Sequence, residues 1–180
     1  MIKTLSFSLY MVLTTAMLWS QEDMIYTKGF THKLAHHQID FFQPVERWLH
    51  ITDVTSDEFM EYDAVLRDES GLEIRVNIQE ADKMYSQHPH IEVMRMIADI
   101  ATNEEQHDIM INQMNNDWVS ERYQADWGLF VDFTPKASYS SYPNGRVLYL
   151  YKEGRALVSY IVLHNEEELD QHFEFPLAFN

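Results

Sequence analysis

The side chains best equipped for chemistry in this chain are histidines and carboxylates, with 9 His against 29 Asp and Glu and no Cys. Metal binding needs three or four such groups converging on one point. Glu104-x-x-His107 matches half of a di-iron carboxylate motif, and the sequence has no second copy. His36 and His37 are adjacent, so on a strand they point to opposite faces. His32 and His36 share a face only in a helix, which Gly29 and the weak apolar pattern around it disfavour. His88 and His90 flank Pro89 and need a third ligand, while Glu92 points onward along the helix. These spacings predict surface histidines and no metal or other cofactor. Nucleophilic catalysis has no better footing. There is no Gly-x-Ser-x-Gly elbow, and Ser138, Ser140 and Ser141 have no base nearby in sequence. Among the carboxylates, Asp132 comes nearest to an apolar setting, in Phe130-Val131-Asp132-Phe133. Burial there would raise its pKa, but strand alternation puts it beside Phe130 on a face that tolerates polar groups. No phosphate loop or dinucleotide fingerprint is present, and the 5 Gly do not cluster. The pattern therefore names no catalytic residue.

Aromatic residues are the better candidates for contact with a ligand. Trp127, Tyr139, Tyr142, Tyr149, Tyr151 and Tyr160 are the expected binding residues, because aromatics give contact area at little entropic cost. The plainer role of the strand tyrosines is cross-strand packing. Most of these residues depend on one stretch, Arg146 to His164, which reads as two strands joined at Lys152-Glu153-Gly154-Arg155. A two-residue loop at Glu153-Gly154 pairs Lys152 with Arg155 and sets the register. One face then carries Leu148, Leu150, Leu157, Ile161 and Leu163. The other carries Val147, Tyr149, Tyr151, Ala156, Val158, Tyr160 and Val162, and is expected to be half exposed.

The elements before this hairpin follow from pattern. Glu22 to Ala35 shows no clear period, His37 to Pro44 reads as a short strand, and Arg47 to Thr52 as another. Asp53 to Asp57 is a polar connection. Phe59 to Gln79 forms a cleaner hairpin, with Met60, Tyr62, Ala64 and Leu66 alternating against polar residues, and Leu72, Ile74, Val76 and Ile78 doing the same. That pattern predicts one face in water. Pro89 suits the first position of a helix, and Ile91, Met94, Ile97, Ala98 and Ala101 recur at helical spacing. Asn103 is placed to cap a second helix, along which Met110, Ile111, Met114 and Trp118 continue a stripe. Trp127 to Phe133 reads as a strand ended by Thr134-Pro135, and Lys136 to Gly145 as a long loop. Asn165 is placed to cap a short acidic helix through Asp170, and Phe173 to Phe179 is apolar enough to dock on the core.

Residues 1–20 carry Lys3, then an apolar stretch shorter than the roughly 20 residues of a membrane span. They read as a secretory signal, with a single domain in 21–180 that is secreted or periplasmic and keeps no stable membrane span. The Trp19-Ser20-Gln21 ending resembles bacterial leaders. The net charge is -16, with the acids spread along the chain. Nucleic acids and anionic membranes, which need clustered Lys and Arg, are excluded as partners. What remains is an unknown protein or small-molecule partner.

The fold class is α+β, an antiparallel sheet of two hairpins and flanking strands covered on one face by a central helix or helix pair. The strand ending Phe41-Phe42-Gln43-Pro44, the helix after Pro89, the strand Trp127–Phe133 and the final hairpin occur in an order that resembles the Mog1/PsbP-like α+β fold. That resemblance implies an accessory or binding module without an active site, here of a bacterial cell envelope. Two other classes stay open: an envelope hydrolase or metal-dependent enzyme, and a subunit of a larger envelope assembly.

Overall fold

The computed structural model describes residues 28–41, 50–51, 59–67, 71–81, 88–104, 109–165 and 176–180. The expected leader, the Asp53–Asp57 connection, His107 and the acidic helix after Asn165 lie outside the described residues. The elements in chain order are α1 (Lys28–His37), β1 (Ile39–Phe41), β2 (His50–Ile51), β3 (Ala64–Arg67), β4 (Leu72–Glu80), α2 (Pro89–Ile100), β5 (Met110–Gln113), α3 (Asn116–Tyr123), β6 (Trp127–Phe133), β7 (Asn144–Lys152), β8 (Ala156–His164) and β9 (Leu177–Phe179). Seven strands form one antiparallel sheet in the order β2-β3-β4-β8-β7-β6-β5, and β1 pairs with β9 in a second, two-stranded sheet. The α+β class with an antiparallel sheet is as the pattern predicts.

Helix α1 is a departure. Phe30 and His37 are buried and Leu34 packs against the core, a one-sided stripe that suffices where Gly29 falls in the first turn. Gln38 then takes a left-handed conformation, φ 54°, and turns the chain into β1. The tail docks as expected, because β9 pairs Phe179 with Ile39 and buries Leu177 and Phe179.

Both faces of the large sheet are covered. Leu72, Ile74, Val76 and Ile78 of β4 join Leu148, Leu150, Val158 and Val162 on one face, under Phe30, Val119, Tyr123, Leu177 and Phe179. The opposite face carries Leu129, Val131, Val147, Leu157, Ile161 and Leu163, and α2 covers it with Val93, Met96, Ile97 and Ile100. Helix α2 thus buries Ile97 and Ala101 of the stripe its spacing suggested but is rotated away from the rest of it. Ile91 and Met94 are exposed. The helix carries two apolar stripes of the same period, and periodicity alone does not choose between them.

The second expected helix divides. Met110 to Gln113 pairs as β5 with β6, from Met110 opposite Asp132 to Gln113 opposite Leu129. The helix begins only at Asn116, where the Asn115 side chain accepts from the backbone N–H groups of Asp117 (2.8 Å) and Trp118 (3.2 Å).

The central hairpin differs by one residue. Lys152 pairs with Ala156, so the loop is Glu153-Gly154-Arg155. Arg155 N–H donates to the Lys152 carbonyl at 3.1 Å, and Gly154 has φ 68°, which a type II turn requires at its third position. The Asp126 carboxylate accepts from Glu153 N–H (2.8 Å) and Lys152 Nζ (2.9 Å) and so fastens this turn from outside. A one-residue slip moves every side chain of one strand to the other face. The expected aliphatic face is therefore split: Leu148 and Leu150 lie opposite to Leu157, Ile161 and Leu163.

Candidate functional site

The alternation of β4 places Glu73, Arg75 and Asn77 on the face under α2. Water was expected there, yet all three are buried. Local geometry begins at Asp63. Its N–H donates to the Val76 carbonyl at 2.8 Å, while its carboxylate accepts from Ile78 N–H at 2.7 Å. A side-chain oxygen thus replaces a backbone carbonyl in the ladder, and Lys33 Nζ holds the other carboxylate oxygen at 2.7 Å. Past this interruption Tyr62 lies on the α2 face and not with Ala64 and Leu66 as alternation suggested.

Arg75 is enclosed there by aromatic rings. Its guanidinium carbon lies 5.2 Å from the Tyr62 ring centre and 4.5 Å from that of Tyr139. Arg75 Nε donates to Glu73 at 2.6 Å and Nη1 donates to the Tyr62 hydroxyl at 3.2 Å. The Tyr62 and Tyr139 hydroxyls are 3.3 Å apart. Arg67 Nε reaches the second Glu73 oxygen from the margin of the inclusion. Burial by itself would lower the Arg75 pKa, but the fields of Tyr139 and Glu73 and the Tyr62 hydrogen bond outweigh it and hold the pKa above its ordinary value. Arg75 is therefore a permanent buried cation, neutralised in place. Its donors are engaged by protein groups, which makes it a cross-brace between β4 and the 59–62 and 136–142 segments.

A second polar row crosses the same face. Asn77 stands opposite Ser159, and Ser159 opposite Tyr149. Asn77 Nδ2 donates to the Glu61 carbonyl at 2.7 Å, and Ser159 Oγ contacts Met96 Sδ at 3.8 Å. Asn77 Oδ1 and the Tyr149 hydroxyl have no hydrogen-bond partner among the described residues. Burial pushes the Tyr149 hydroxyl pKa up, and Tyr139 and Glu92 add to the effect, so this phenol stays neutral.

The expected binding residues are distributed as follows. Tyr139, Tyr149 and Tyr151 are buried under or beside α2, with Trp127 and Tyr142 half-buried against the same cluster. Tyr160 is buried on the opposite face. The half-exposed tyrosine face is thus closed, a consequence of the shifted hairpin register and of cover on both sides. The Lys136–Gly145 loop is also pinned. Lys136 Nζ donates to the last carbonyls of α2, Ala98 at 2.7 Å and Asp99 at 2.9 Å.

The catalytic candidates do not converge. Asp132 is half-buried and paired with Arg146 on the neighbouring strand. Glu104 is exposed, and its expected partner His107 lies outside the described residues. His88 and His90 are edge to face at 5.6 Å and exposed. Among the described residues, no group of three His, Asp or Glu side chains could hold a metal ion. No described helix is long and apolar enough to cross a membrane.

The spacing did not reveal the open edge of the sheet. All four residues of β5 are exposed, and among the described residues no strand pairs with its outer side. Ile109, Met110 and Ile111 are 39%, 58% and 46% exposed, and Trp118, in the first turn of α3, is 45% exposed. A signal was available: Ile109 to Asn116 contains no charge, in a chain where charged residues are 23% of the whole. Comparison with known proteins gives no match to a family model, a curated protein or a solved structure.

Proposed function

We propose that this chain is an exported, non-catalytic binding module of a bacterial cell envelope that takes up an extended segment of a protein partner along β5. The open edge carries the proposal. An edge strand offers unpaired backbone N–H and C=O groups, and sheet proteins normally guard it with Lys, Pro, a bulge or cover. Strand β5 reads Met-Ile-Asn-Gln and has no such guard within it. Strand addition supplies main-chain hydrogen bonds, and alternate side chains supply selectivity. The occupant is an uncharged or basic segment with apolar residues, since the net charge of -16 opposes an acidic one. The first 20 residues support export, and the resemblance to PsbP-like domains supports an accessory role. The exposed apolar residues favour a place in a larger assembly over an enzyme.

The test is site-specific photocrosslinking in cells, with a photoreactive phenylalanine analogue placed at Ile111 and, as control, at Ile91 on the outer face of α2. The expected result is one discrete protein adduct from position 111 and none from position 91, on a chain whose N-terminus lies near Gln21. Equal labelling from both positions, or none from position 111, would remove the edge from the account.

A further inference from the structure

We infer that β5 selects an amphipathic extended segment, held by the backbone of Ile111 and Gln113 and with its apolar side chains turned to the α2 face. This rests on the edge reading and adds to it the register and the face. Met114 N–H donates to the Gly128 carbonyl at 3.2 Å, in step with the β5–β6 register that sets Met110 opposite Asp132 and Asn112 opposite Phe130. In an antiparallel pair, residues that exchange both backbone bonds alternate with residues that exchange none. The set bonded to β6 is therefore Met110, Asn112 and Met114. The N–H and C=O groups of Ile111 and Gln113 point the other way, to the open side. A strand added there bonds to these two residues, and the residues it sets opposite them share their face of the sheet. That face is fixed by the rows behind the edge. Ile111 is followed by Val131, Val147 and Ile161, all fully buried, and Gln113 by Leu129 and Tyr149 in the cluster under α2. A residue opposite Ile111 extends an apolar row by one strand, so Val, Ile or an aromatic residue is favoured there. The intervening residues of the added strand fall on the other face. There Met110 and Asn112 are exposed, and the row behind Met110 holds Asp132 paired with Arg146. Polar residues suit these positions, and the net charge of -16 favours basic over acidic ones.

Two synthetic peptides of one composition, each with Lys at both ends, are the probes. One alternates Val and Thr along its length, and the other carries the same residues as a Val block and a Thr block. Amide exchange of the chain, read residue by residue by NMR, reports what each does. The alternating peptide is expected to slow the Ile111 and Gln113 amides and to leave those of Met110, Asn112 and Met114 unchanged, since these already bond to β6. The blocked peptide should protect more weakly. Ile111→Thr should weaken binding of the alternating peptide by about fivefold, the upper end for a cross-strand pair. Met110→Thr should weaken it less, although Met110 is the more exposed of the two, at 58% against 46%. A far-ultraviolet spectrum of each variant checks that the fold is retained. Equal protection by the two peptides, or a larger loss in Met110→Thr, would overturn the face selection and leave the edge reading standing. New protection at Met110 and Asn112 in place of Ile111 and Gln113 would overturn the register. No protection by either peptide, where position 111 still captures a partner in cells, would overturn this inference alone; without that capture the edge reading falls with it. Protection that rises with protein concentration in the absence of peptide would give the edge to a second copy of the chain and overturn the partner class.

Discussion

The two faces of the large sheet bury similar strands by different means. Under α1, α3 and the small sheet, β4 presents Leu72, Ile74, Val76 and Ile78 to a mostly apolar partner surface. Under α2 the same strand presents Glu73, Arg75 and Asn77. The first face rests on the hydrophobic effect and tolerates approximate solutions. The second depends on each polar group having a particular neighbour, because an unpaired buried charge is far more costly than a small cavity. Alternation of apolar and polar residues thus identifies which side chains share a face. It does not say whether a polar face meets water or a helix.

The largest effect is expected where a charge is orphaned. Glu73→Leu leaves Arg75 between two tyrosine rings without its carboxylate, and should lower stability by about 4 kcal/mol in urea titration. Glu73→Leu combined with Arg75→Met removes both charges, and should recover most of that loss. If the double variant is as unstable as the single one, the inclusion is not held by the pair. On the other face, Ile74→Ala should cost about 3 kcal/mol through transfer and cavity terms, with no partner substitution able to repair it.

Smaller effects sharpen the contrast. Asp126→Ala releases the Lys152–Arg155 turn and should cost about 1 kcal/mol, seen as a lower thermal midpoint. Burial acts to raise the Asp126 pKa, but the hydrogen bonds from Glu153 N–H and Lys152 and the positive charges of Lys152 and Arg155 outweigh it and lower the pKa below the ordinary value. A depressed carboxyl contributes stability above its unfolded pKa of about 4 and loses it as pH falls through the folded value. The parent chain should therefore lose its advantage over Asp126→Ala as pH falls below about 4. A gap unchanged at acid pH would show that the turn does not depend on the ionised group. The smallest effect belongs to Tyr149→Phe, which deletes a buried hydroxyl without a partner among the described residues. It should leave stability unchanged or raise it by less than about 1 kcal/mol. A clear loss would mean that this hydroxyl is satisfied.

Much of the fold was legible because long strands declare themselves. Trp127–Phe133 matches its pattern at both ends, and β4, β7 and β8 emerge from alternation. The register of the last hairpin was not legible. Lys152-Glu153-Gly154-Arg155 is compatible with two loop lengths, and the choice rests on Asp126, far away in sequence, holding the turn from outside. Strand β5 was hidden for a related reason. Met110, Ile111 and Met114 fit a helical stripe, and only pairing with β6 makes Met110 to Gln113 a strand. Burial of Arg75 was invisible because Tyr62 and Tyr139 are 77 residues apart. The open edge thus lies in one of the segments where local pattern and tertiary pairing disagree.

The most direct test of edge recognition is native mass spectrometry of the protein, purified gently from its own host, beside an Ile111→Lys variant. A lysine on an exposed edge blocks strand addition while leaving the core untouched. The prediction is a stoichiometric protein mass on the parent chain that is absent from the variant. A bare parent chain, or a partner retained by the variant, would contradict recognition through β5.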